Sequence, residues 1–186
     1  MTWTEPERRI RTAVVGYGLS GSVFHAPLIA ADPRYSLDVI ATSDAGRQAA
    51  ATQRYPRVKT VPDGDAVLAL AGDLDLVVLG TPPATHFPLA KAALEAGLDV
   101  VVDKPFAVSS AEALELIALA QRLGRVLTVF QNRRWDGDFL TVQKLLAGGA
   151  LGSGTGSESS LERVSRDSPQ AWTARPPPGG GHAGVL

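Results

Sequence analysis

Apolar residues fall into six short runs separated by longer stretches of mixed polarity. "RTAVVGYG" (11–18), "LDVIATS" (37–43), "LDLVVLGT" (74–81), "LDVVVDKP" (98–105) and "RVLTVFQN" (125–132) read as strands, with "RVKTV" (57–61) a weaker one. Several are unbroken Val/Leu/Ile runs instead of alternating in polarity, as strands covered on both faces are. The stretches between them read as helices. "SGSVFHAPLIAAD" (20–32) starts one whose first turns Pro27 should perturb. "AGRQAAATQRY" (45–55) is stopped by Pro56, and "DAVLALAG" (65–72) can be capped by Asp63. "PATHFPLAKAALEAG" (83–97) ends at Gly97. "SSAEALELIALAQRLG" (109–124) has Ser109 or Ser110 as its cap, Leu114, Ile117 and Leu119 as its predicted apolar face, and Gly124 as its stop. "DFLTVQKLLAGG" (138–149) is the last.

Strand and helix in steady alternation predict a doubly wound α/β domain over residues 11–150, a parallel sheet with helices on both faces. Residues 1–10 form a polar extension. From Gly152 to Leu186 the character changes: 17 of 35 residues are Gly, Ser or Pro, and no apolar periodicity survives. The tail, 151–186, is expected to be extended or disordered, with nothing in it resembling a second domain.

Composition narrows the partners. Eighteen basic residues stand against 19 acidic ones, so nothing marks the chain for nucleic acid or an anionic membrane. It contains no cysteine, which removes disulfides, thiol nucleophiles and thiolate metal sites together. No metal site is predicted. No apolar run approaches the ~18 residues of a membrane span, and the polar N-terminus lacks the apolar segment of a secretory signal. A soluble, cytoplasmic protein is expected.

The chemistry begins at "AVVGYGLSGSVFHAP". Gly16, Gly18 and Gly21 have the spacing G-x-G-x-x-G, with a buried strand before them and a helix after. In such a loop the first glycine allows the tight turn, the second lets backbone approach a pyrophosphate, and the third permits close helix–strand packing. Gly16, Tyr17, Gly18, Leu19, Ser20 and Gly21 are therefore candidate dinucleotide contacts. The same unit calls for an acidic residue ~20 positions on, at the end of the second strand, to hold the adenosine ribose. Asp44 lies 23 positions after Gly21. Asp44 favours NAD, while Thr42, Ser43 and Arg47 form a polar, partly basic cluster suited to the 2′-phosphate of NADP. A structural turn with a solvated aspartate is the alternative.

Three stretches together, "GYGLSGSVFHAPLI", "GTPPATHFPLAKAALEAGLDVVVDKPFAVS" and "NRRWDGDFLTVQKLL", resemble the Gfo/Idh/MocA oxidoreductases, most closely the branch with NADP-dependent scyllo-inositol dehydrogenase. The resemblance covers about residues 9 to 151. It implies a Rossmann domain, NADP or NAD as cofactor with a slight preference for NADP, and a sugar or inositol secondary alcohol as substrate. The family's E-K-P signature reads Asp103-Lys104-Pro105 here. The resemblance gives Lys104 the catalytic role of moving the substrate's hydroxyl proton beside the nicotinamide, and implies that the proline is often cis. A cationic nicotinamide nearby would favour the neutral amine that a base requires. Aspartate in place of glutamate shortens the neighbouring carboxylate by one methylene.

Thr81 and Pro82 match the segment that packs along the cofactor, and the resemblance places Asp103, Lys104 and Pro105 among the cofactor-binding residues as well. His86 matches the histidine of "T-P-x-x-x-H"; a histidine making local hydrogen bonds is the alternative. Asn132 and Arg133, with Arg134 and Trp135, end the sixth strand and suit cofactor phosphate or substrate hydroxyls; a solvated basic turn is their alternative. Phe24 and His25 are expected to pack near the first helix, without a catalytic role.

The resemblance further implies a second domain bearing most substrate contacts, the oligomer interface and a catalytic Asp and His. His182, directly after glycines, does not fit that motif. The tail is expected to be a remnant of that domain whose register is lost, with impaired turnover and homo-oligomers only where the domain is present. A non-catalytic dinucleotide-binding module is the alternative function.

Overall fold

The computed structural model describes residues 8–152, together with 156, 158 and 160. Six strands, β1 (Ile10–Val15), β2 (Tyr35–Ala41), β3 (Lys59–Val61), β4 (Leu76–Leu79), β5 (Asp99–Val102) and β6 (Leu127–Val129), form one sheet in the order β3-β2-β1-β4-β5-β6. Every pairing is parallel. The strand order reverses between β1 and β4, the switch point where open α/β sheets leave a ligand crevice. Nearly all of the predicted tail lies outside the described residues, as do residues 1–7.

The chain separates into two compact units, one running through Phe130 and one beginning at Gln131. The break falls inside the predicted 11–150 domain, directly after the sixth strand. The second unit carries a 3-10 turn, Asn132–Trp135, and the helix α6 (Gly137–Ala147). No described helix is long and apolar enough to cross a membrane.

In the first unit the helices are α1 (Ala26–Ala31), α2 (Ala45–Arg54), α3 (Gly64–Leu68), α4 (His86–Glu95) and α5 (Ser110–Leu123). Alternate residues of the strands feed two apolar layers. Ala13, Val15, Val77, Leu79, Val100 and Val102 pack with Val67, Ala90, Leu94, Leu116 and Leu119 of α3, α4 and α5. Val14, Ile40 and Val78 face the other way, against Ala26 of α1 and Ala51 of α2. Covering both faces is why these strands read as continuous apolar runs.

Local signals place most helix ends. Asp63 Oδ1 accepts from Ala66 N–H at 2.9 Å, Ser109 Oγ accepts from Glu112 N–H at 3.2 Å, and Gly97 and Gly124 take positive φ of 84° and 62° where α4 and α5 stop. Pro27 leaves a mark: Ser20–His25 is π-helical, and the α-helical register begins only at Ala26, beside the proline that has no N–H to donate. The predicted face of α5 needs correction. Leu114 and Ile117 are exposed, and Leu116, Leu119 and Ala120 are buried. The helix is leucine-rich around most of its circumference, so its sequence leaves the buried face open and packing against the sheet and α4 selects it.

Ahead of β4, Asp75 ties the start of β1 to the sheet. Its Oδ2 accepts from Arg11 N–H at 2.9 Å and from Arg11 Nε at 3.1 Å; Oδ1 accepts from Arg11 Nη2 at 3.0 Å and also pairs with Arg8. The hydrogen bond from the Arg11 side chain holds the Asp75 carboxyl well below the usual carboxylate range. A depressed native pKa contributes stability above the unfolded value near 3.9 and loses it as pH falls further. Asp75→Asn is therefore expected to destabilise the fold by roughly 1–3 kcal/mol at neutral pH. The variant should also lose less stability than wild type when urea unfolding is repeated in acid. Equal acid losses in the two proteins would refute this role.

Candidate functional site

The strand registers align Val15 with Ala41 and Leu79, Leu79 with Val102, and Val102 with Val129. In a parallel sheet all C-terminal ends share one edge. Residues immediately beyond that row extend the ladder: Gly16 N–H donates to Ala41, Gly80 N–H to Val15, Asp103 N–H to Leu79 and Phe130 N–H to Val102, at 2.8 to 2.9 Å. The glycine loop after β1, the Thr81 loop after β4 and the Asp103–Lys104–Pro105 loop after β5 thus sit side by side at the switch point.

The three glycines differ in what surrounds them. Gly16 has φ of +96°, and a Cβ there would lie 2.6 Å from the carbonyl oxygen of Gly80. A Cβ on Gly21 would lie 2.0 Å from the carbonyl oxygen of Gly16. Both are backbone collisions with nowhere to relax. Gly18, half-buried, is less crowded: a Cβ there would meet only the end of a flexible side chain, Arg47 Nη1, at an ordinary 3.8 Å. Gly16 and Gly21 therefore shape the loop, while Gly18 keeps its outer surface clear for a group that must approach backbone.

The other predicted residues divide in the same way. Leu19 is exposed, and the Tyr17 ring is buried in the second apolar layer, where burial pushes its hydroxyl pKa up. Tyr17 therefore offers the loop only its backbone. Ser43, Asp44 and Arg47 are exposed at the end of β2. Asp44 Oδ1 accepts from Arg47 N–H at 2.8 Å and caps α2, so this carboxylate is partly committed to the protein. Thr42, buried, holds the turn by accepting at its carbonyl from Gln48 Nε2 at 2.7 Å. Asn132 and Arg133 belong to the second unit, where Arg133 Nη1 donates to Asp136 at 2.7 Å.

His86 is fully buried; its Nδ1 lies 2.9 Å from the Pro105 carbonyl oxygen and its Nε2 2.8 Å from that of Thr81. Each ring nitrogen faces a backbone carbonyl, to one of which a neutral ring donates its single N–H. The ring fastens the loop after β4 to the loop after β5. The Lys104–Pro105 peptide is cis, and Lys104 is half-buried between these ties.

Asp103 is held from the other side. Its Oδ2 accepts from the Ser20 hydroxyl, and its Oδ1 lies 2.7 Å from His25 Nε2. Burial pushes the Asp103 carboxyl up, but the hydrogen bonds from His25 and Ser20 outweigh it and leave the group below its ordinary value. The His25 ring, 5% exposed, also packs on Phe130 with centroids 4.4 Å apart. Sequence reasoning missed His25 and Gly80 as parts of this site. The signal for Gly80 was available, a glycine directly after a buried strand; nothing local points from His25 to Asp103, 78 residues away.

The glycine geometry yields a paired expectation. Gly21→Ala should destabilise the protein by about 3 kcal/mol or more, beyond ordinary overpacking, because the obstacle is backbone. Gly18→Ala should melt near wild type yet weaken dinucleotide binding. Thermal unfolding together with a cofactor titration checks both, and a Gly21→Ala protein of wild-type stability would contradict the loop geometry.

Comparison with known proteins agrees with this arrangement. The family model described as "Oxidoreductase family, NAD-binding Rossmann fold" matches residues 10–131. The oxidoreductase YdgJ of Escherichia coli is 49% identical over 172 residues, which cover 92% of this chain and 49% of that protein. The scyllo-inositol 2-dehydrogenase (NADP(+)) IolW of Bacillus subtilis is 36% identical over 142 residues, 76% of this chain and 38% of IolW. Among solved structures, GenD2 from gentamicin A biosynthesis in complex with NAD is similar at a TM-score of 0.70 and 31% identity, covering 81% of this chain and 43% of GenD2. The chain spans about half the length of YdgJ and less of IolW. A Rossmann sheet with its glycine loop and DKP turn on one edge, matched from residue 10 to residue 131, makes this chain a member of the Gfo/Idh/MocA oxidoreductase family.

Proposed function

We propose that the chain is the dinucleotide-binding part of an NADP- or NAD-dependent dehydrogenase acting in the cytoplasm on a secondary alcohol of a sugar or inositol. The observation that carries this reading is the glycine loop on the same sheet edge as Lys104, with Gly16 and Gly21 packed to backbone contact and only the Arg47 guanidinium near Gly18. Such a loop, with a cation beside its middle glycine, fits a diphosphate. Backbone amides of Gly18 to Gly21 would hold that group, with Thr81 and Pro82 along the dinucleotide. When bound, the nicotinamide supplies the acceptor for a hydride from the carbinol carbon. The Lys104 amine would take the proton of the substrate hydroxyl, so that alcohol would become ketone with both hydrogens accounted for.

NADP is the preferred cofactor in this reading. Asp44 spends one carboxylate oxygen on capping α2, and the Arg47 guanidinium extends over the glycine loop, where a 2′-phosphate would pair with it. A non-catalytic binding module is the second reading.

Titration with each cofactor, followed by quenching of protein fluorescence, tests cofactor choice. Arg47→Ala should weaken NADP binding about tenfold, roughly 1.4 kcal/mol, and leave NAD binding nearly unchanged. Equal losses for both would remove the 2′-phosphate assignment. Incubation with NADP and a panel of inositols and sugars, followed by the absorbance of reduced nicotinamide, separates the two functions: saturable binding without reduction selects the binding module.

A further inference from the structure

We propose that Asp103 and His25 are positioning residues that make the Lys104 amine respond to occupancy of the glycine loop. The inference rests on the dinucleotide reading above and concerns how one end of that site informs the other. Ser20 lies inside the loop, between Gly18 and Gly21, and is the first residue of the π-helical segment; His25 is its last. The two ends of this one segment grip the two oxygens of a single carboxylate. That carboxylate belongs to the residue directly before Lys104.

The fork has little slack. The Asp103 side chain is 16% exposed and that of His25 5%, and the Gly80 backbone closes in so that a Cβ there would stand 3.6 Å from Asp103 Oδ2. Phe130, following β6, backs the imidazole. On the far side of Lys104, His86 anchors the Pro105 carbonyl. The lysine is thus carried on a short turn held at both flanks, and Ser20, inside the glycine loop, is hydrogen-bonded to Asp103 directly before it. A shift of about 1 Å in the loop would break a bond of this kind. Asp103 therefore stands between the glycine loop and the base.

The test measures how fast the Lys104 amine is acylated, by competitive labelling and mass spectrometry of the whole chain. ADP is the probe: it carries the diphosphate but has neither nicotinamide nor the second ribose. In wild type, saturating ADP should change the Lys104 rate by about fivefold, the low end of coupling between sites. His25→Leu and Asp103→Asn should still bind ADP, yet Lys104 should no longer respond. His25→Gln, which keeps an N–H near the ring Nε2 position, should recover part of the response. Asp103→Asn is nearly isosteric and carries the test alone should the leucine variant not fold. A response that persists in ADP-bound variants would mean direct shielding and overturn the proposal, as would wild-type binding with no change at Lys104. Failure of wild type to bind ADP would instead overturn the dinucleotide reading, and this inference with it.

Discussion

The carbonyl oxygen of Gly16 occupies the space that a side chain on residue 21 would need. Around that contact the rest of the site is arranged. It lets the chain leave β1, reverse through the glycine loop and enter a helical segment without moving away from the sheet. The same closeness recurs one strand over, where Gly16 approaches the Gly80 backbone. Backbone packed on backbone at the switch point brings the loops after β1, β4 and β5 within hydrogen-bond reach of one another, and no larger residue at these positions would permit it.

Polar groups then fix what the close packing allows. His86 and the Asp103 fork are both largely buried, the first set between two backbone carbonyls and the second held by a hydroxyl and an imidazole. Buried polar groups of this kind cost free energy unless each finds its partner, so a satisfied set defines one arrangement of the loops. Lys104 sits in the middle of that set, between a carboxylate and a proline that are each held from a different strand's loop. The shorter aspartate in place of the family's glutamate still reaches both Ser20 and His25. Its carboxylate faces inward to them, which gives the DKP turn a structural duty beside any chemical one.

How much of this was legible beforehand varies with the range of the interaction. The six strands, their parallel arrangement and most helix ends follow from apolar periodicity, capping residues and glycine stops, all set by neighbours in the chain. The glycine loop is legible for the same reason, since its spacing encodes a turn. The buried face of α5 was not: Leu114 and Leu116 are chemically alike, and only contact with the sheet and α4 decides which goes in. Tyr17 and Asp44 occupy the expected places, but their side chains serve the core and a helix cap.

By itself, then, the sequence determined the doubly wound sheet, the position of the glycine loop and the presence of a lysine at the end of the fifth strand, because each rests on patterns spanning a few residues. The tertiary structure decided which glycine is least crowded, that His86 is buried between two backbone carbonyls, and that His25 meets Asp103. Those contacts join residues dozens of positions apart, and nothing in local propensity records them. They exist only once strand order has placed distant loops on the same edge.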